Sequence, residues 1–283
     1  MTEQKALLQG QDWAGEMGEK WNRYRARFEG MIAPIGQATL AHAGFKLGER
    51  VLDIGCGAGP TTLDIARVVG TQGVVTGLDI SHVLIDTATV RAQQAGLSQV
   101  GFVCGDAATL QLPVPAYDHL FSRFGVMFFE DPFAAFKNMR RMLHDSSRMT
   151  FCCWGPPPQN PWVARLSELV SRHVTLPPPN PTAPGPFAFA DQIRTRAIIE
   201  QAGFRNVAFK AWRGAQLFGG PGLDPAGAAQ FAMQSFFVGE VTADQPDTVK
   251  NAVVEDMIRL FETMRTPEGI AMEAMAWLVT AST

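Results

Sequence analysis

The chain has 283 residues, enough for one large domain with a sizeable core. Apolar residues make up 46% and charged residues 18%, and a net charge of −3 argues against binding of nucleic acid. The polar, partly acidic first residues and the absence of any run of about 18 apolar residues predict neither a secretory signal nor a membrane span. The four cysteines form no CxxC pair, so we expect no disulfide framework and no metal site, in a cytoplasmic protein.

Apolar runs and turn signals predict strands that alternate with helices. The run from Val51 to Ile54 ends at a cluster of glycines and predicts a buried strand, and Pro60 suits the first turn of the next helix. Further strands are predicted at 74–79, 100–104, 117–122, 148–154, 207–212 and 270–280. Further helices are predicted at 81–95, 132–143, 162–174, 191–202 and 224–265. This alternation indicates an α/β chain with a doubly wound, mostly parallel, seven-stranded sheet that has 270–280 at its edge.

Three segments stand apart from this alternation. Residues 1–34 are predicted to form an N-terminal helical lid before a main domain at 35–283. Residues 155–190 contain two runs of three prolines, which predict a stiff, irregular insertion. Residues 220–266 are predicted to be helical. We expect the two later segments to be substrate-cap insertions above the sheet.

The strongest chemical signal is the sequence VLDIGCGAGP at 51–60. Glycines at 55, 57 and 59 directly after a strand let the backbone approach a ligand where a Cβ would collide. A nicotinamide dinucleotide site prefers the spacing GxGxxG, which needs a glycine at position 60. That position is Pro60, so the spacing is GxGxG and an oxidoreductase is disfavoured.

This turn and the acidic residues after the next strands resemble the class I S-adenosylmethionine-dependent methyltransferases, over roughly residues 35–213 and in the family's Rossmann-like fold. The resemblance implies that Asp79 binds the ribose hydroxyls and that Asp53 faces the methionine end of S-adenosylmethionine. It also implies that Asp106 and the Ala107 amide bind adenine. The cofactor positions that the resemblance implies are Asp53, Gly55, Cys56, Gly57, Gly59, Asp79, Ile80, Gly105, Asp106, Ala107 and Ser122.

Each acidic residue also has a plain structural interpretation. Asp53 could be a turn acid, Asp79 could cap the following helix, and Gly105-Asp106 could be an ordinary turn. Their joint occurrence in the family's order favours the cofactor site. The segment SRFGVMFFEDP at 122–132 further resembles a bacterial small-molecule branch, and no Asn/Asp-Pro-Pro-aromatic motif for methylation of base amines follows that strand. One departure from the family is the turn 144–147, which lacks the usual proline and glycines.

No catalytic base can be named from the sequence. His119 lies within a predicted strand and is expected to be a buried structural group. His173 lies in the insertion after the fifth predicted strand, and the sequence does not decide whether it contacts a substrate. Transfer of a methyl group by in-line displacement requires a base only when the nucleophile must lose a proton.

Aromatic and methionine residues mark the expected acceptor site. They come from an N-terminal stripe (Trp13, Trp21, Tyr24, Phe28), from the loops after strands four and five, and from a cap stripe (Phe231, Met233, Phe236, Phe237). The predicted substrate-binding residues are Tyr24, Arg123, Phe124, Met127 and Trp154. These aromatic residues predict that the acceptor is a small, mostly apolar or aromatic molecule. A cofactor-binding homologue with other chemistry or a regulatory role stays open, and so does a homodimer.

Overall fold

The computed structural model describes residues 13–112 and 117–283 and contains one eight-stranded mixed sheet. The strands follow the order β3-β2-β1-β4-β5-β8-β6, and the two-residue β7 pairs with β8 alone. Strands β1 to β5 are parallel neighbours, whereas β8 runs antiparallel to both β5 and β6. The strands are β1 Arg50–Ile54, β2 Val74–Asp79, β3 Val100–Cys104, β4 Tyr117–Arg123, β5 Leu143–Trp154, β6 Arg205–Leu217, β7 Arg265–Thr266 and β8 Gly269–Ser282.

Helices cover both faces of the sheet, as the predicted α/β fold requires. Three of them begin at an aspartate whose side chain accepts backbone N–H groups of the first turn, namely Asp131, Asp191 and Asp224. The helices are α1 Glu16–Arg23, α2 Arg25–Ala43, α3 Pro60–Val69, α4 His82–Gln94, α5 Pro132–Arg141, α6 Pro161–Val170, α7 Gln192–Gln201, α8 Pro225–Ser235, α9 Phe237–Thr242 and α10 Asp247–Glu262. None of the helices in the described residues is long and apolar enough to cross a membrane.

The predicted position of the last strand is wrong. Strand β8 lies between β5 and β6, and β6 is the edge strand. The burial of β8 on both faces suits an interior position, whereas β6 alternates between exposed and partly buried residues, as an edge strand does. The helical stretch predicted at 224–265 consists of three helices, because Phe236 adopts an extended conformation and Pro246 precedes α10.

The N-terminal helices lie over the sheet. Helix α2 packs against β5 and β6 through buried residues such as Met31, Ile32 and Ile35, and α1 packs against α4. The boundary predicted at position 34 falls inside α2, which continues through Pro34 without a break. Residues 1–12 of the predicted lid lie outside the described residues.

Asn160 connects the proline-rich insertion to the sheet. Its buried side chain donates to the carbonyls of Gly155 and Pro156, at 3.1 and 3.2 Å. Its oxygen accepts from Trp162 Nε1 at 3.1 Å and from the Met275 amide at 3.0 Å. One side chain therefore satisfies polar groups from the end of β5, the start of α6 and the middle of β8.

We predict that Asn160→Ala lowers the free energy of unfolding by about 4 kcal/mol, because the Gly155 carbonyl, Trp162 Nε1 and the Met275 amide all lose this buried partner. Urea denaturation at constant pH measures the change. Asn251→Ala on the exposed face of α10 is the matched control and should stay within about 0.5 kcal/mol of the parent. Equal losses in the two variants would contradict the role given to Asn160.

Candidate active site

The turn between β1 and α3 forms the floor of the site. Gly55 and Gly57 have φ values of 63° and 57°, a conformation that side chains with a Cβ disfavour. A Cβ on Gly55 would lie 2.6 Å from the Cα of Gly125, so this position is fixed by contact with the loop after β4. A Cβ on Gly57 would meet nothing nearer than Trp21 Nε1 at 4.0 Å. Gly57 therefore exposes its backbone to open space, where a ligand can approach it.

Asp79 lies at the end of β2, directly beside this turn. Its Oδ2 accepts from the Gly57 amide at 2.8 Å, and its Oδ1 accepts from the Ser81 amide at 2.9 Å. Burial raises the pKa of Asp79, and the backbone hydrogen bonds oppose that rise. The residue lines the cavity, and each carboxylate oxygen retains a further acceptor site. Asp79 can therefore bind a pair of ligand hydroxyls while it holds the turn.

The segment after β3 presents a second set of polar groups. Asp106 Oδ1 accepts from the Ala108 amide at 2.8 Å, and the Ala107 carbonyl accepts from Asn138 Nδ2 at 2.9 Å. The Ala107 amide donates to no group within residues 13–112 or 117–283. Gly105, Asp106 and Ala107 all line the cavity, as do Ile80 and Cys56.

Three predicted cofactor positions lie below the turn and do not line the cavity: Asp53, Gly59 and Ser122. Asp53 is fully buried, and its Oδ2 accepts from the hydroxyls of Thr61 and Thr62 at 2.8 and 2.7 Å. Ser122 Oγ donates to the Ile54 carbonyl at 2.7 Å and accepts from the Gly125 amide at 3.2 Å. These residues hold the turn and the start of α3 in place, and the expected contact of Asp53 with a ligand is not formed by this geometry.

A cavity of about 1050 Å³ extends from the glycine turn towards the caps. Aromatic pairs form much of its wall: Trp21 stacks on Phe28 with ring centres 4.2 Å apart, and Phe124 stacks on Trp154 at 4.5 Å. Its lining includes Trp13, Met17, Trp21, Phe28, Met31, Ile32, Phe124, Met127, Phe128, Phe129, Trp154, Trp162, Phe236 and Phe237. Aromatic side chains from the N-terminal helices, the central loops and the cap therefore converge as predicted.

Four of the five predicted substrate-binding residues line the cavity, namely Arg123, Phe124, Met127 and Trp154. Tyr24 does not. Its hydroxyl donates to Gln234 Oε1 at 2.9 Å and its ring packs against Phe231, so it joins α1 and α2 to α8. Of the cap stripe, Phe231 and Met233 also do not line the cavity.

The proline-rich segment at 155–190, predicted to be a substrate-cap insertion, forms one wall of the cavity. Pro177, Pro178 and Pro179 line the cavity, together with Pro181, Pro184 and Pro186. These individual prolines are not among the predicted substrate-binding residues. The available signal was the density of proline itself, because a chain with fixed φ can keep a surface in shape without regular hydrogen bonds.

No histidine lines the cavity in the described part of the chain. His119 is fully buried, where Nε2 lies 2.9 Å from Thr150 Oγ1 and Nδ1 accepts from Arg148 Nε at 3.0 Å. His173 Nε2 lies 2.7 Å from Asp256 Oδ2, in a pair that joins the end of α6 to α10. Neither is placed to remove a proton from an acceptor.

Comparison with known proteins identifies the class. Residues 51–146 match a family model described as a methyltransferase domain. The aklanonic acid methyltransferase DauC of Streptomyces sp. (strain C5) is 33% identical over 120 residues, which is 42% of this chain and 54% of DauC. A demethylmenaquinone methyltransferase of Staphylococcus haemolyticus is 25% identical over 179 residues, covering 60% of this chain and 74% of the relative. The YcgJ protein of Bacillus subtilis shares the fold, with a TM-score of 0.58, 18% identity, and coverage of 89% and 98%.

These findings define a Rossmann-like methyltransferase domain. The expected resemblance to the class I S-adenosylmethionine-dependent methyltransferases is borne out by this domain match and by the methyltransferases that align with the chain. The expected enzyme class and cofactor are thereby confirmed. The alignment spans only about half the length of DauC.

Two buried groups beneath the site titrate with opposite effects on stability. Burial raises the pKa of Asp53 to about 6, and burial together with Arg148 lowers the pKa of His119 to about 3. From about pH 4 to about pH 6, folded Asp53 holds a proton that the unfolded chain releases, so this group destabilises the fold as pH rises. Over the same range the unfolded chain protonates His119 and the folded chain does not, so this group destabilises the fold as pH falls.

We predict that Asp53→Asn removes the first effect. Its free energy of unfolding, relative to the parent, should rise by about 1.4 kcal/mol per pH unit between about pH 4 and pH 6. His119→Gln should change the difference by a similar amount in the opposite direction. Urea denaturation at half-unit pH steps measures both, and variant curves that run parallel to the parent curve would show that neither group has a shifted pKa.

Proposed function

We propose that the protein binds S-adenosylmethionine at the glycine turn and transfers its methyl group to a small, oxygen-bearing aromatic acceptor held in the same cavity. The observation that carries the proposal is the continuity of that cavity. Its polar end has Gly57, Asp79 and Asp106, and its wide end is lined by aromatic rings and prolines. A mostly apolar cavity with a few convergent polar groups is the usual form of a small-molecule site.

The residues at the polar end fit the cofactor. Gly57 leaves space where a Cβ would stand, Asp79 retains acceptor sites for ribose hydroxyls, and the Ala107 amide is available to a ring nitrogen. When bound, S-adenosylmethionine supplies an electrophilic methyl group on a sulfonium whose charge disappears on transfer. The apolar walls favour that loss of charge and exclude water, while the aromatic rings align the acceptor.

Two buried polar groups in the cavity wall support an acceptor that carries oxygen atoms. Trp13 Nε1 and Ser235 Oγ have no hydrogen-bond partner within the described residues, although both residues line the cavity. A buried donor without a partner is costly, and a carbonyl or hydroxyl oxygen of a bound molecule would satisfy it. Two relatives are named as methyltransferases of aklanonic acid and of demethylmenaquinone, and these names agree with an acceptor of this kind.

The alternative, a protein that binds the cofactor without methylating, shares all of these cofactor contacts. Turnover separates the two. Purified protein incubated with S-adenosylmethionine and a panel of hydroxylated naphthoquinones, anthraquinones and aromatic acids should convert at least one to a product heavier by one methyl in place of hydrogen. Binding of the cofactor with no turnover on any acceptor would favour the alternative.

We predict that Asp79→Asn weakens binding of both S-adenosylmethionine and S-adenosylhomocysteine by at least about tenfold, because the charge-assisted acceptor for the ribose is lost. Gly57→Ala should abolish binding by placing a methyl group in the cofactor space, at a folding cost of about 1–2 kcal/mol for the left-handed backbone. Isothermal titration calorimetry measures both, with thermal denaturation to verify folding.

Asp244→Ala, at an exposed position after α9, is the control and should bind as the parent does. NADH is the control ligand and should give no heat. Tight binding of NADH by a parent protein that ignores both sulfur ligands would reject the proposed function.

A further inference from the structure

Arg123 occupies an unusual place in the cavity wall. It is the last residue of β4, and its side chain passes beneath α2 towards the site. Helix α2 accommodates it through a glycine, because a Cβ on Gly36 would lie 2.9 Å from Arg123 Cδ and 3.5 Å from its Nη1. A glycine in a helix interior costs about 1 kcal/mol relative to alanine. The fold therefore keeps space for this guanidinium at some expense to helix stability.

The guanidinium of Arg123 has no partner in the described chain. It makes no hydrogen bond or ion pair with residues 13–112 or 117–283, and its Nε is buried without an acceptor. The acids nearest to it in electrostatic effect are engaged elsewhere: Glu29 with Arg91 at 2.8 Å, and Asp53 with two threonine hydroxyls. Burial lowers the pKa of Arg123, yet an arginine side chain stays charged in proteins.

Arg123 is also the single cation among the described residues that line the cavity. The remaining charged lining groups are carboxylates, namely Glu29, Asp79, Asp106, Asp191 and Glu240. The neighbours of Arg123 in sequence and space include the stacked pair Phe124 and Trp154, which offers no counter-charge. Arg123 is partly buried with a fully buried Nε, and a cation in apolar surroundings is stabilised when an anion joins it.

We propose that Arg123 binds a carboxylate, or an equally acidic ionised oxygen, of a molecule held in this cavity. The inference rests on the proposed function, which puts two molecules there, and either can bring such a group: the amino-acid end of S-adenosylmethionine, or the acceptor. The planar fork of a guanidinium matches a carboxylate in two parallel hydrogen bonds. An acceptor carboxylate would also be ionised at neutral pH, so its methylation needs no base, which agrees with a cavity that no described histidine lines.

The test compares ligands that differ in one anionic group. For the cofactor, the pair is S-adenosylhomocysteine and 5′-methylthioadenosine, which lacks the amino acid, and calorimetry measures the affinities. For the acceptor, the pair is anthraquinone-2-carboxylate and anthraquinone-2-carboxamide. Quenching of tryptophan fluorescence measures their binding without any cofactor, because Trp13, Trp21, Trp154 and Trp162 line the cavity.

The informative variants are Arg123→Met, which keeps the length and removes the charge, and Arg123→Lys, which keeps the charge. Arg141→Met, at an exposed position that ends α5, is the matched control. The parent should prefer the anionic member of at least one pair by about tenfold. Arg123→Met should abolish that preference, Arg123→Lys should retain part of it, and Arg141→Met should leave it unchanged.

The two pairs of ligands show whether the anion bound by Arg123 belongs to the cofactor or to the acceptor. A loss of affinity for S-adenosylhomocysteine but not for 5′-methylthioadenosine assigns Arg123 to the cofactor, and a loss of preference for the anthraquinone carboxylate assigns it to the acceptor. Folded Arg123→Met protein with both preferences intact overturns the inference. Should Arg123→Met not fold, Gly36→Ala displaces the guanidinium with its charge retained, and unchanged preferences in that variant overturn the inference equally.

Failure of the proposed function gives a different pattern. A parent protein that binds no S-adenosylhomocysteine but prefers the anthraquinone carboxylate in an Arg123-dependent way rejects the cofactor and keeps the anion site.

Discussion

The ligand-facing edge of the sheet depends on one hydrogen bond, which the Gly57 amide donates to Asp79 Oδ2. It joins the turn after β1 to the end of β2 and fixes a backbone segment whose left-handed conformation few residues tolerate. Gly55 in the same turn rests against Gly125, so the loop after β4 is brought to the same place. The loops after three neighbouring strands thus hold one another in register, and the cavity opens where they meet.

Beneath this edge, the buried Asp53 carboxylate both supports the fold and is costly to bury. Its buried carboxylate orders two threonine hydroxyls at the start of α3, but its second oxygen has no partner in the described residues and its burial raises its pKa. A neutral residue would be easier to bury.

The sequence contained enough local information to predict the strands, the glycine turn and most of the residues that line the cavity beside that turn. Gly55, Gly57 and Pro60 impose their geometry through backbone sterics alone, so their meaning does not depend on distant residues. The place of β8 is different, because an interior or edge position is decided by which strands flank it. The prediction that Tyr24 lines the acceptor site is wrong for a similar reason. Its helical spacing with Trp21 and Phe28 is visible in the sequence, but only the position of α8 determines that its hydroxyl bonds to Gln234.

The proline-rich wall has a consequence for recognition. A loop of ordinary composition would lose considerable conformational freedom when a molecule settles against it, and that loss would weaken binding. Prolines at 177–179, 181, 184 and 186 have already given up most of that freedom in the unbound chain. This wall of the cavity is thus preorganised, and changes in its residues can alter the shape of the cavity while the glycine turn and its aspartates stay as they are.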